Sequence, residues 1–183
     1  MQHFFNSLKL NQTILTSQGY FPNKNKGCGI TSLANLIYIK YGDFNTAMRI
    51  YVNSRKHPLV KDGTTDITSF PILLEELSRS KYSGICYLNP SLDYNLDNSQ
   101  LKGDFLNILK NTFKTSLERE LIVLKRDYSV NYPNILFLMS DDENLSGHAL
   151  VNKEHSTFIN NGYIQHSLPN GFDIEGIFDA FKK

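Results

Sequence analysis

The sequence has few of the residues on which several classes of protein depend. It contains no tryptophan, only two cysteines, and a formal net charge of +1 over 183 residues. Two cysteines cannot form a disulfide framework, and with the five histidines they show no structural zinc spacing. The mixed, near-neutral charge argues against nucleic acid as a partner, because neutralising phosphates requires clustered Lys and Arg. At least one cysteine is therefore expected to be a free thiol.

Long apolar runs are absent as well. No stretch of about 18 apolar residues occurs, so no membrane span is predicted. The first residues, MQHFFNSLKLNQT, lack the basic start and long apolar run of a secretory signal, so a cytoplasmic protein is expected. What is present is an apolar fraction of 40%, which is enough to build a packed core. The length favours a single domain over residues 1–183.

The spacing of apolar residues predicts mostly helices early and mostly strands late. Asp43 is a candidate cap for the second helix, and Pro71 lies in the first turn of the third. Helical spacing is found over 30–41, 44–51, 70–77, 101–109, 117–124 and, with Asp173 as a possible cap, 174–181. Short apolar runs predict strands over 82–88, 135–139, 149–152 and 157–160. This segregation indicates an α+β fold, with a helical N-terminal half and a C-terminal antiparallel sheet.

Cys28 is the candidate nucleophile. It lies between Gly27 and Gly29, directly before the most apolar predicted helix. Unpaired N–H groups and the partial positive charge at a helix N-terminus favour thiolate over thiol. Glycine on both sides would let backbone and substrate approach closely. Cys86, in contrast, lies within an apolar strand, where packing is the expected role.

His148 is the candidate base for that thiol. It opens the run GHALVN after a polar loop, and Gly147 leaves space beside it. A thiolate nucleophile needs a base within hydrogen-bond reach and a third group that orients the base. The other histidines lie in the N-terminal segment, in loops and turns, or after the last predicted short strand.

A hairpin count supplies the candidate orienting group. If KEHS is the turn after the His148 strand, Asn152 faces Thr157 and His148 faces Asn161. Asn161 could then accept a hydrogen bond from the imidazole and hold its tautomer. A register error of one residue would put Asn160 in that place instead.

An oxyanion hole would complete such a site. The Cys28 N–H is one candidate donor, and the Gln18 side-chain amide is a second. Asn23 and Asn25 are nearer in sequence and compete for that role. No metal cluster, phosphate loop or dinucleotide fingerprint occurs, so neither a metal nor a cofactor is predicted.

Three segments of the chain together resemble papain-like cysteine peptidases. GCGITSLANLI at 27–37 is similar to the nucleophile segment of the group that includes bacteriocin-processing double-glycine leader peptidases. SGHALV at 146–151 and FINNG at 158–162 resemble the histidine strand and the following strand, which normally ends in Asn-Asp-Pro. Here Asn161 stands where the family has Asp, no Pro follows it, and Gln18 lies farther before Cys28 than in compact members.

The resemblance implies a papain-like fold, in which the nucleophile helix packs on the C-terminal sheet. It also implies a thiol hydrolase that cleaves a peptide or isopeptide bond in a peptide or protein substrate. Cys28 would attack, His148 would transfer the proton, Asn161 would orient His148, and Gln18 would help to hold the oxyanion. Two alternatives stay open: an acyltransferase of transglutaminase type, and a non-catalytic binding module on the same fold.

Overall fold

The computed structural model describes a little over half of the chain and has an α+β architecture. The described residues are 27–60, 65, 67–88, 122–124, 131–140, 147–160 and 163–183. Helices come first along this part of the chain, and strands follow from residue 82 onwards. The predicted α+β class is confirmed. The helix predicted over 101–109 lies outside the described residues.

Three α-helices form the first part of the described chain. They are α1 (Cys28–Tyr41), α2 (Phe44–Asn53) and α3 (Phe70–Leu77), with short 3-10 turns at Ser54–Lys56 and Ile67–Ser69. All three were predicted. Every residue from 29 to 37 of α1 is buried, as its apolar composition indicates. Gly42 ends α1 in the left-handed conformation, with φ of 65°, and its N–H bonds the Tyr38 carbonyl.

The first turns of α2 and α3 follow the sequence signals. The Asp43 carboxylate accepts a hydrogen bond from the Thr46 backbone N–H at 3.0 Å, which satisfies one unpaired donor of the first turn of α2. Pro71 lies in the first turn of α3, where its missing N–H costs no hydrogen bond. These local signals therefore set where both helices begin.

Within the described ranges, seven strands form one sheet. They are β1 (Tyr82–Leu88), β2 (Ile122–Leu124), β3 (Asn134–Ser140), β4 (His148–Glu154), β5 (Thr157–Asn160), β6 (Tyr163–Gln165) and β7 (Phe172–Lys182). Their order across the sheet is β2-β1-β7-β3-β4-β5-β6. β2 pairs with β1 in parallel, and the other neighbours are antiparallel. The last strand along the chain, β7, therefore lies between β1 and β3.

The predicted closing helix over 174–181 is wrong, because this segment is β7. A bulge interrupts its pairing with β3: Gly176 faces Phe137, but Ile174 faces the next residue, Leu138. The extra residue brings Ile174 and Ile177 to the same side of the sheet, where both join one apolar cluster. A spacing of three thus arises in a strand and imitates helical periodicity.

The predicted helix over 117–124 is also wrong in its last residues. Residues 122–124 form β2, in which Ile122 faces Cys86 and Leu124 faces Leu88. Two leucine spacings favoured a helix over the strand tendency of Ile122 and Val123. Pairing along β1 decides the outcome, which periodicity alone cannot show.

The predicted register of the β4–β5 hairpin is off by one residue. Asn152 faces Phe158 rather than Thr157, and Thr157 faces Glu154. The register shifts between residues 152 and 154, and Ser156 in the turn has a φ of 60°. The bulge in this short hairpin adds a residue that the count from KEHS did not include.

The helices cover one face of the sheet. The larger core cluster joins α1 and α3 to inward residues of β3, β4 and β7, including Phe70, Phe137 and Phe178. A second, smaller cluster lies on the opposite face around Leu138 and Leu150. In the described part of the chain, the helices fall short of the length and apolar character that crossing a membrane requires.

Candidate active site

The start of α1 places Cys28 at the first helical position. Gly27 adopts a left-handed conformation, with φ of 98°, which glycine allows at little cost. The Gly27 carbonyl then accepts the first helical hydrogen bond from Thr31 N–H at 2.9 Å. The first N–H groups of the helix have no acceptor within the helix, so its positive end points towards the thiol.

Gly29 has a different role from the one expected. A Cβ at this position would lie 3.1 Å from the Phe70 ring, so the missing side chain leaves room for core packing rather than for substrate. The Gly29 backbone N–H hydrogen-bonds the Cys28 sulfur. Glycine at 29 therefore lets Phe70 pack closely beside the turn that carries the thiol.

The start of β4 brings a histidine and a backbone amide to this turn. The Cys28 thiol hydrogen-bonds the His148 imidazole, and the next residue, Ala149, bonds the sulfur through its backbone N–H. The Ala149 carbonyl accepts a hydrogen bond from Ser32 Oγ at 3.0 Å. Cys28 and Ser32 are four residues apart, so they share one helix face, and both hold the same residue of β4. Sequence reasoning did not identify Ser32.

Charge at the site favours an ion pair. Burial raises the pKa of Cys28, but the hydrogen bond and positive charge of His148, with the Ala149 and Gly29 N–H groups, outweigh it and lower the pKa overall. Burial lowers the pKa of His148, but its hydrogen bond with Cys28, the thiolate charge and the Asn160 hydrogen bond raise it overall. The arrangement therefore stabilises thiolate and imidazolium together.

Asn160 is the side chain that holds His148. Its Oδ1 lies 2.7 Å from His148 Nε2, which leaves Nδ1 as the ring nitrogen available to the thiol. The β4–β5 register makes His148 and Asn160 diagonal rather than opposite neighbours, a separation that these side chains span. Asn160 is the alternative that the sequence left open, and Asn161 lies outside the described residues.

Gln165 extends the chain of contacts beyond Asn160. Asn160 Nδ2 donates to Gln165 Oε1 at 3.2 Å. In the β5–β6 ladder Asn160 faces Tyr163, so Gln165, two residues on, is its diagonal neighbour. Sequence reasoning missed Gln165. The turn dipeptide Asn161-Gly162 was the available signal, because a two-residue loop there predicts this pairing.

The predicted oxyanion donors differ in what the structure describes. Cys28 N–H lies at the first helical position, where a developing negative charge would meet the positive end of α1. Gln18, Asn23 and Asn25 all lie outside the described residues.

Cys86 and His57 stand apart from this arrangement. Cys86 is fully buried in β1, and its thiol donates to the Ile67 carbonyl at 2.9 Å, as expected of a packing residue. His57 Nε2 lies 2.6 Å from Glu76, and His57 Nδ1 accepts from Leu59 N–H. Those bonds tie the segment after α2 to α3.

Metal ligation has no support in the described part of the chain. No group of three or more His, Cys, Asp or Glu side chains there is placed to hold a metal ion.

Comparisons of the chain with protein-family models, with curated proteins and with solved structures find no match.

Proposed function

We propose that this protein is a papain-like thiol hydrolase that cleaves a peptide or isopeptide bond. The observation that carries the proposal is the continuous contact from the Cys28 thiol to His148 and from His148 to Asn160. A nucleophile, a base and an orienting group in this order are the parts that acyl transfer through a thiol requires.

The reaction would proceed in two halves. The Cys28 thiolate attacks the carbonyl carbon, and the π electron pair moves to the oxygen, near the Cys28 N–H. The intermediate collapses, and the amine leaves with a proton from the His148 imidazolium, so that a thioester remains. Water then attacks the thioester while neutral His148 takes its proton. The acid departs, and the thiolate–imidazolium pair is restored.

Asn160 supports both proton transfers without changing its own charge. Its Oδ1 accepts from His148 Nε2–H, which keeps Nδ1 directed at the sulfur in each half of the reaction. Asn161, which the family resemblance favoured, remains the competing orienting residue. Gln18 is the proposed second donor to the oxyanion.

Turnover by a Cys28→Ala variant tests the proposal. Cleavage of a mixed pool of synthetic peptides, followed by mass spectrometry, should disappear in Cys28→Ala and persist in Cys86→Ala. The two variants carry the same substitution at the only two cysteines of the chain. Unchanged cleavage in Cys28→Ala overturns the assignment of the nucleophile.

A second experiment needs no knowledge of the substrate. The activated ester p-nitrophenyl acetate should leave an acetyl group on Cys28, detected by mass spectrometry of the digested protein. The Cys86 peptide of the same digest is the internal control. Added amine would release an amide instead of acetate if the protein transfers acyl groups. Failure of Cys28 to react at neutral pH would favour a non-catalytic binding module.

A further inference from the structure

We propose that Gln165 is a positioning residue that orients the amide of Asn160 and, through it, the imidazole of His148. The inference rests on the proposed function of the Cys28–His148 pair. It adds Gln165 as a fourth residue to Cys28, His148 and Asn160. It is carried by two contacts, Asn160 Oδ1 to His148 Nε2 at 2.7 Å and Asn160 Nδ2 to Gln165 Oε1 at 3.2 Å.

An asparagine amide has to be oriented because its two ends are opposite in hydrogen-bonding character. Both ring nitrogens of an imidazolium are donors, so His148 in the ion pair requires an acceptor at Nε2. Asn160 therefore must present Oδ1, and its Nδ2 must point away from the ring. Gln165 Oε1 accepts from that Nδ2, which favours this orientation of the amide over the flipped one.

The amide of Gln165 carries a cost that fits such a role. Its Nε2 is buried and finds no hydrogen-bond partner in the part of the chain that the structure describes. Turning the Gln165 amide over would bring Nε2 against Asn160 Nδ2, donor against donor. Gln165 thus keeps Oε1 on Asn160 while Nε2 finds no partner among the described residues, although a buried donor without a partner is destabilising.

The geometry of the hairpin makes Gln165 the residue that can do this. β6 has three residues, and Gln165 is the one that faces Phe158 in β5. Its neighbours Tyr163 and Ile164 are 66% and 56% exposed, whereas Gln165 is partly buried beside Asn160. A long amide at this position can reach across the ladder to its diagonal neighbour.

Two variants of similar size separate the acceptor from the packing. Gln165→Leu removes the acceptor, and Gln165→Glu keeps an oxygen in its place. We expect iodoacetamide labelling of Cys28 at pH 6 to slow about five- to tenfold in Gln165→Leu and to change less than about twofold in Gln165→Glu. The pH profile of Cys28 labelling should move to higher pH in Gln165→Leu but not in Gln165→Glu. Equal effects of the two variants overturn the proposal.

A double-mutant cycle tests whether Gln165 acts through Asn160. In the Asn160→Ala background there is no amide to orient, so adding Gln165→Leu should change the labelling rate no further. A full additional loss in that background contradicts the proposed role. Ile164→Ala, on the same strand, is the control and should leave the profile unchanged.

Thermal unfolding shows whether each variant is folded before labelling. If Gln165→Leu does not fold, Gln165→Ala replaces it as the acceptor-free variant. The labelling comparison does not depend on substrate turnover. If the protein cleaves no peptide but the Leu and Glu variants label differently, the proposed function is wrong and the role of Gln165 stands. If it cleaves peptides but the two variants label alike, only the role of Gln165 is wrong.

Discussion

At the residue scale, the Cys28–His148 pair sets how the thiol responds to pH. With the pKa of Cys28 lowered and that of His148 raised, the thiolate–imidazolium form is populated between the two pKa values. Iodoacetamide labelling of Cys28 should therefore rise as pH increases through the lowered thiol pKa, below the ordinary value of about 8.5. Peptide cleavage should fall again as the imidazolium loses its proton above the raised pKa of His148.

His148→Gln provides the contrast. It removes the positive charge beside Cys28, so the pKa of the thiol should rise, because burial is then the largest remaining influence. Labelling at pH 6 should slow by about a hundredfold or more. The same substitution at His57, which lies against Glu76, is the control and should leave Cys28 unchanged. A similar profile in both variants would contradict the pairing.

Two adjacent asparagines, Asn160 and Asn161, are the candidates for the residue that orients His148, and matched variants distinguish them. His148 Nε2 lies 2.7 Å from Asn160 Oδ1, which would accept the Nε2 proton of an imidazolium. Asn160→Ala should therefore lower the rate of Cys28 labelling at pH 6 by about tenfold, while Asn161→Ala should leave it nearly unchanged. A larger loss in Asn161→Ala would reverse the assignment. The matched change at neighbouring positions controls for an effect on the hairpin as a whole.

The sequence could single out Cys28 and His148 as candidates because their signals are local. Flanking glycines before an apolar helix, and a histidine at a strand start, can be read without knowing how strands pair. Asn160 and Gln165 depend on the register of two hairpins, and a bulge in the first moves the pairing by one residue. Nothing in the residues of that turn specifies the bulge.

At the scale of single elements, Asp43 links the start of α2 to β1. Its carboxylate accepts from Thr46 N–H and from the Tyr82 hydroxyl at 2.9 Å, and it pairs with Lys81. Burial raises the pKa of Asp43, but the hydrogen bonds from Lys81, Thr46 and Tyr82 outweigh it and hold the pKa well below its usual range. The charged form is therefore the one that stabilises the fold.

The charge of Asp43 can be tested with a variant that keeps the cap. Asn also caps helices, so Asp43→Asn removes mainly the charge and should cost about 1 kcal/mol at pH 7. The folded pKa is depressed, so this contribution is present above the unfolded pKa of about 3.9 and is lost as pH falls through the folded pKa. Urea unfolding should show the deficit shrinking on acidification. An equal deficit at pH 7 and pH 2 would show that the charge of Asp43 does not stabilise the fold. Asp173→Asn, at an exposed position, is the control.

Elements were predicted well where local signals and apolar spacing agree, and poorly where a strand produces helical spacing. In α1, in the capped start of α2 and in the proline-led start of α3, local preference and burial favour the same structure. In β7 the bulge produces a spacing of three between Ile174 and Ile177 within a strand. Helical spacing in a short segment therefore does not separate a helix from a bulged strand.

At the scale of the whole molecule, β7 connects the two parts of the sheet. Phe178 of β7 is fully buried, and its ring packs at 5.4 Å from Phe70. A Cβ at Gly84 in β1 would come within 2.2 Å of that ring, so β1 depends on glycine there. The core thus joins β1, β7 and the helices around one aromatic side chain.

Phe178 and Phe181 supply a matched pair of substitutions. Phe181 is 40% exposed, whereas Phe178 is fully buried. Phe178→Ala should therefore cost about 3–5 kcal/mol of unfolding free energy, and Phe181→Ala less than about 1 kcal/mol. In a helix the two would share a face and cost similar amounts. Urea unfolding of both variants distinguishes the strand from the helix that the sequence predicted.

The order of strands lay beyond prediction from the sequence. Residue patterns indicate which segments are extended, but pairing of β7 with both β1 and β3 joins segments far apart along the chain. Such long-range pairing depends on how whole faces of the sheet pack, and a short stretch of sequence does not contain that information.

The central position of β7 has a consequence for the chain as it is made. Cys28 is made early, but β4, which carries its proposed partner His148, is held in the sheet through β3, and β3 pairs with β7. We expect a chain that ends before β7 to label Cys28 as slowly as an ordinary cysteine at neutral pH, because β3 would lack one of its two neighbours in the sheet. The reactivity of the proposed nucleophile would thus depend on the strand that is made last among those described.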